Sequence, residues 1–117
     1  MTLQYREYLC GKIHQARITD AHLDYIGSIT IDPLLLEKAN LHVGQKVLVV
    51  SNSSGARLET YIIEGKAGSG EVCINGAASY HIRQGEIVII IGFILSTTPV
   101  EPKAILVDKN NRFVEYL

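Results

Sequence analysis

The 117 residues include no tryptophan, one methionine, two phenylalanines, three prolines and two cysteines. Two cysteines with no CxxC between them exclude a disulfide scaffold, and Cys10 and Cys73 read as free thiols of a reducing, cytoplasmic compartment. The four histidines, at positions 14, 22, 42 and 81, form neither HxxxH nor HxH, so no metal site is expected. Charge of one sign is also missing. Eleven Lys and Arg against twelve Asp and Glu leave a formal net charge of −1. That balance excludes a global field able to hold nucleic acid or an anionic membrane, so attraction for an acidic ligand must be local. No N-terminal stretch runs from basic through apolar to small residues, and no signal peptide is expected. The longest apolar run, Ile87 to Leu95, is too short to cross a bilayer as a helix. What is present is hydrophobic content of 47%, enough to give one domain a sizeable core.

Strand signals dominate. Residues 3 to 18 carry Leu3, Tyr5, Leu9, Ile13 and Ile18 in irregular alternation, which reads as two short strands or one kinked at Gly11. Asp20 to Asp24 reads as a link. Asp32-Pro33 is a helix start, with Asp at the N-cap and Pro at N1, and Asn40 closes that helix after about two turns. Residues 46 to 63 read as a hairpin around the Ser51 to Gly55 loop. Glu71 to Ile74 is a short strand ending in the turn signal Asn75-Gly76. Glu86 to Leu95 is a continuous apolar strand with both faces covered, either inside a barrel or by another subunit. The tail reads as a hairpin turning at Asn110-Asn111. Many short strands, frequent glycine turns and one or two short helices describe a small, mainly β, closed barrel of one domain, residues 1–117.

Four groups of residues carry candidate chemistry. Lys12 and His14, two apart in a strand, share a face. Arg57 and Tyr61 share a face of the second hairpin strand, while Thr60 points to the other. Asn75-Gly76-Ala77-Ala78 has side chains small enough for a ligand to approach backbone N–H groups. Tyr25-Ile26-Gly27-Ser28 holds a hydroxyl next to a glycine carbonyl. Each has an ordinary structural reading: a solvated face, strand residues, a tight turn, a Gly-Ser turn. Their order and spacing together, from about residue 3 to about residue 108, resemble the pyruvoyl-dependent L-aspartate α-decarboxylases, the aspartate 1-decarboxylase family.

That resemblance implies a six-stranded double-psi β-barrel and a specific chemistry. Self-cleavage between Gly27 and Ser28 would give chains 1–27 and 28–117 and convert Ser28 into a pyruvoyl group. No metal and no pyridoxal phosphate would be needed. Pyruvoyl-28 would form a Schiff base with L-aspartate and give β-alanine and CO₂ for pantothenate and coenzyme A synthesis. Tyr61 would donate the proton. Lys12, Arg57, Thr60, Gly76, Ala77 and Ala78 would bind substrate. Tyr25, Gly27, Thr60, Asn75 and His14 would support processing, with Thr60 as oxyanion donor. A homotetramer with sites between subunits is implied, and a maturation helper protein is left open. Two other classes compete: a non-enzymatic β-barrel for binding or assembly, without nucleic-acid or membrane partners, and a serine hydrolase using Ser28 and His14. The hydrolase lacks a G-x-S-x-G elbow.

Overall fold

The computed structural model describes residues 2–117. Nine strands and one α-helix follow in chain order: β1 Arg6–Arg17, β2 Asp20–His22, β3 Ser28–Ile31, α1 Pro33–Ala39, β4 Lys46–Ser51, β5 Arg57–Glu64, β6 Val72–Asn75, β7 Ile87–Ser96, β8 Lys103–Val107 and β9 Phe113–Tyr116. A 3₁₀ turn, Gly76–Tyr80, follows β6. The protein is mainly β with short helical pieces, as the sequence pattern leads one to expect. All nine strands join one sheet in the order β2-β6-β3-β5-β4-β7-β1-β8-β9, the short β2 and the terminal β9 lying at its ends.

Two strands organise this sheet. β1 pairs antiparallel with β7 and parallel with β8, and β3 pairs antiparallel with β6 and parallel with β5. β1 is one strand, not two. Its irregularities fall between Leu9 and Gly11 and between Ile13 and Ala16, where Gln15 takes a φ of 65°. Such bulges bend a strand and raise its twist. The link foreseen after β1 contains the short strand β2, paired parallel with β6.

The sheet wraps one continuous core. Ile13, Ile29, Ile31, Val47, Val49, Ile62, Ile74, Val88, Ile90 and Ile105 are all fully or almost fully buried in it. Helix α1 adds Leu35, Leu36 and Ala39. Its end docks where Gly11 and Gly92 face each other across β1 and β7, because a side chain on either glycine would collide with Ala39 or Leu41. In β7 the first six residues alternate between buried and half-buried, but Phe93, Ile94 and Leu95 are exposed. The expected cover on both faces is therefore incomplete within this chain. Among the described residues no helix is long and apolar enough to cross a membrane.

Two buried polar side chains tie the ends of the sheet together. Asn111, in the β8–β9 turn at φ 58°, donates to the carbonyls of Arg17 (2.9 Å) and Gly70 (2.8 Å) and accepts from the Arg17 N–H (2.8 Å). It thus satisfies the backbone at the end of β1 and of the loop entering β6. Asp32 caps α1 through the Leu34 N–H (2.9 Å) and accepts from Gly68 (3.0 Å) and Gly70 (2.8 Å). Burial raises the Asp32 pKa, but the donors Gly70, Leu34 and Gly68, with the Arg112 charge, outweigh it and hold it below the ordinary 3.8.

A depressed folded-state pKa gives stability that is present above the unfolded value and lost as pH falls through the folded one. Asp32→Ala should lower the unfolding free energy by about 2–4 kcal/mol at neutral pH, since it removes a cap and charge-assisted hydrogen bonds. Urea titrations at pH 7 and at pH 3 check this: the gap between wild type and variant should narrow at the lower pH. An equal gap at both would remove the ionised carboxylate from the account.

Candidate active site

The candidate site is built on the antiparallel pair β3–β6. Its register sets Ser28 opposite Asn75, Ile29 opposite Ile74 and Thr30 opposite Cys73. Side chains directly opposite in such a pair lie on the same face. Ile29 and Ile74 therefore face the core on one side, while Ser28, Thr30, Cys73 and Asn75 form a polar block on the other. That block is also buried, with Ser28 1%, Cys73 2% and Asn75 2% exposed.

Burial obliges the polar atoms to pair, and they do. The Asn75 amide donates from Nδ2 to both Ser28 Oγ and Thr30 Oγ1, each at 2.9 Å. Ser28 Oγ donates to the Ile26 carbonyl (3.4 Å). Asn75 Oδ1 accepts from the Cys73 thiol (3.4 Å). Burial first, then the Asp20 and Glu71 charges, push that thiol up to about 11, so it carries its proton at neutral pH.

Gly76, next in the chain, explains how the segment before Ser28 comes so close. Its φ is +74°, and a Cβ there would stand 2.7 Å from Gly27 Cα, 2.9 Å from Gly27 N and 3.0 Å from the Tyr25 carbonyl oxygen. Only glycine permits both the backbone angle and the contact. Gly27 itself is different. It lies outside the left-handed region, and a Cβ added to it would meet nothing within 4 Å. The close approach in this segment thus belongs to Gly76, and Gly27 has no positive φ. Tyr25, Ile26 and Gly27 are exposed and Ser28 is buried, so the bond lies where the chain enters the sheet.

β5 lies on the other side of β3. The parallel register aligns Ile29 with Ile62; carried one residue back to the start of β3, it sets Ser28 level with Tyr61. Thr60 is half-buried, opposite Val47 of β4. It makes no hydrogen bond to Ser28, and the donor on the Ser28 hydroxyl is Asn75. Arg57, Glu59 and Tyr61 share the exposed face of β5. Lys46 pairs with Glu59 (2.7 Å), and among the described residues Arg57 has no ion-pair partner. β5 pairs with β4 without a bulge, so Thr60 and Tyr61 remain on opposite faces.

Lys12 and His14 lie on β1, separated from β3 in the sheet by β5, β4 and β7. Both are half-buried, and no hydrogen bond links either to Ser28. His14 Nδ1 is buried and has no hydrogen-bond partner. A hydrolase pairing of Ser28 with an imidazole is absent among the described residues. Ala77 and Ala78 follow Gly76 in the 3₁₀ turn, Ala77 exposed and Ala78 half-buried. Among the described residues no group of three His, Cys, Asp or Glu side chains is placed to hold a metal. A cleft of about 650 Å³, lined by residues including Cys10, Val43, Gln45, Glu59, Phe93 and Leu95, contains none of Ser28, Thr60, Tyr61 and Asn75.

Sequence reasoning missed Thr30 and Cys73. The signal was available in the period of two: Thr30 is two residues after Ser28, and Cys73 two before Asn75. Without the β3–β6 register, nothing joined the two pairs.

The sequence profile of the aspartate decarboxylase family matches residues 4–114. An aspartate 1-decarboxylase of Neisseria meningitidis is 48% identical over 112 residues, covering 92% of this chain and 88% of that protein. Those of Listeria welshimeri and Listeria monocytogenes serotype 4b are each 46% identical over 111 residues, covering 92% of this chain and 87% of theirs. A rationally designed protein, mkDPBB_sym1, superimposes with a TM-score of 0.48 at 15% identity, over 74% of this chain and 96% of the other. A match spanning nearly the whole chain, together with relatives at this identity, makes the chain a member of the aspartate decarboxylase family.

Proposed function

We propose that this chain decarboxylates L-aspartate to β-alanine and CO₂, for pantothenate and coenzyme A synthesis in the cytoplasm, using a carbonyl made from its own Ser28. The observation that carries the reading is the buried Asn75 amide donating to Ser28 Oγ at 2.9 Å, next to a glycine that presses on Gly27.

The maturation chemistry uses these groups in order. Ser28 Oγ attacks the Gly27 carbonyl carbon, the C–N bond breaks, and the hydroxyl proton ends on the Ser28 nitrogen, so an ester replaces the amide. The Ser28 Hα then leaves as a proton and the Gly27 carboxylate departs, keeping Oγ as one of its oxygens. Dehydroalanine remains at position 28. Water replaces its nitrogen, which leaves as ammonia, and a ketone remains on the chain starting at residue 28. Asn75 Nδ2 touches the atom that changes charge twice, Oγ, first as it loses its proton and again as it leaves within a carboxylate. A fixed donor in a buried site stabilises such charge without reorganisation. The donor of the oxyanion on the Gly27 carbonyl is assigned to Thr60, on β5, the strand that pairs with β3.

The residues present fit a pyruvoyl group, since a buried oxygen at position 28 already has a donor in the Asn75 amide. Such a group supplies an electrophilic carbonyl that takes the substrate amine and absorbs the electrons CO₂ leaves behind. Tyr61, level with Ser28 and 41% exposed, holds the proton to be delivered. Arg57, whose neighbour Glu59 is engaged by Lys46, is left to hold a carboxylate, helped by Lys12. The α-carboxylate loses its charge in the transition state, so a tight ionic grip there would favour the ground state. Arg57 therefore holds the β-carboxylate.

We extend the reading to a homotetramer. Lys12 and His14 do not reach Ser28 by any hydrogen bond within the chain, and exposed Phe93, Ile94 and Leu95 offer apolar area to cover.

Three outcomes follow. Intact mass after expression should show fragments 1–27 and 28–117, the second without a free amine. Ser28→Ala and Gly76→Ala should both stay whole, the latter because its Cβ displaces Gly27; a Ser28→Ala protein that still splits at this bond would falsify the reading. Tyr61→Phe should process normally and lose turnover by roughly 10²-fold; full turnover in processed protein would take Tyr61 out of the reaction. Arg57→Ala should lower kcat/KM about 10- to 150-fold, the scale of a charged hydrogen bond. Aspartate amidated at its α-carboxyl should lose inhibitory affinity in that variant. Loss for asparagine alone would reverse the assignment of the carboxylates.

A further inference from the structure

Asn75 can act on Ser28 only if its amide faces the right way, and the two hydroxyls it touches do not by themselves decide this. Ser28 Oγ and Thr30 Oγ1 can each donate or accept. Two neighbours break the tie. Ser28 has one hydroxyl hydrogen, directed at the Ile26 carbonyl, so its oxygen meets Asn75 as an acceptor. On the far side of the amide is the Cys73 sulfur, 3.4 Å from Oδ1 and 3.8 Å from the Ile74 carbonyl oxygen. A thiol is a weak acceptor but carries one hydrogen, and the nearer oxygen is that of Asn75. Flipping the amide would turn Oδ1 onto Ser28 and Thr30 and direct N–H at sulfur, removing the donor from Oγ.

We infer that Cys73 is a positioning residue for self-cleavage: its S–H, donated to Asn75 Oδ1, holds the amide with Nδ2 toward Ser28 Oγ. The inference rests on the proposed cleavage at Gly27-Ser28 and adds to it a residue in β6 that never touches the bond being broken. Supporting geometry comes from the strand register, which places Cys73 two residues before Asn75 on the same face and opposite Thr30. Burial keeps the thiol protonated and therefore a donor at neutral pH. The same burial, 2% exposed, makes a role as an attacking thiol inaccessible to substrate.

A packing role and a positioning role rank substitutions differently. Serine keeps a donor but buries a more polar atom, whereas alanine keeps apolar character and has no donor. The rate at which freshly purified precursor splits into fragments 1–27 and 28–117, followed by intact mass, is the readout, with thermal unfolding measured in a Ser28→Ala background. Cys73→Ser should cleave within about twofold of wild type, and Cys73→Ala roughly 3- to 10-fold slower, the scale of one neutral hydrogen bond. If alanine fails to fold, the isosteric pair Cys73→Thr and Cys73→Val differs by the same hydroxyl donor. In an Asn75→Ala background the Cys73→Ala substitution should slow cleavage no further, because there is no amide left to orient. Equal rates for the serine and alanine variants, or an undiminished Cys73→Ala effect without Asn75, would overturn the positioning role. Wild-type protein that never splits would instead sink the cleavage reading, and this inference with it.

Discussion

A buried amide held between two strands is the interaction on which the site depends. Asn75 spans β6 to β3 and donates to two hydroxyls of the facing strand. In water such bonds contribute little because solvent competes. Here, with Ser28 and Asn75 almost fully covered, an unmade bond would cost the desolvation of each group. The polar block is therefore held in one arrangement by the same burial that makes it useful. Gly76 adds a steric constraint: it brings the Tyr25–Gly27 segment against the strand end where the amide is fixed.

The rest of the fold keeps this strand pair in place. Asn111 and Asp32 act as buried polar ties between loops that sheet hydrogen bonding alone leaves unpaired. Asp32 ends β3's extension and starts α1 while gathering the Gly68–Gly70 turn that leads into β6. A loosening there would shift the β3–β6 register, and a slip of one residue would turn Ser28 and Asn75 to opposite faces. Stability and site geometry are thus linked through the same loop.

Local chemistry was legible wherever one short stretch settles it. Asp32-Pro33 and Asn40 mark the helix ends where the structure has them, because capping is a matter of adjacent residues. The hairpin over residues 46 to 63 and the terminal hairpin follow from turn residues and alternation. The same alternation placed Thr60 opposite Arg57 and Tyr61, and the regular β5 keeps them so. Less legible were β2, too short to show a period, and the exposure of Phe93 to Leu95, since an apolar run does not say whether its own chain covers it.

Residue type and order were enough to single out Gly27-Ser28, Lys12, His14, Arg57, Thr60, Tyr61 and Asn75-Gly76, because their spacing along the chain is a property of the chain alone. Which of them meet is a property of strand pairing across tens of residues, and pairing is decided by how the whole sheet closes over its core. That is why Asn75 and Cys73, not Thr60, form the hydrogen-bonded chain to Ser28, and why the close approach belongs to Gly76 and not Gly27. Hydrogen-bond reach is about 3 Å, whereas strand register moves side chains by whole residues and from face to face, so no linear pattern could settle those contacts.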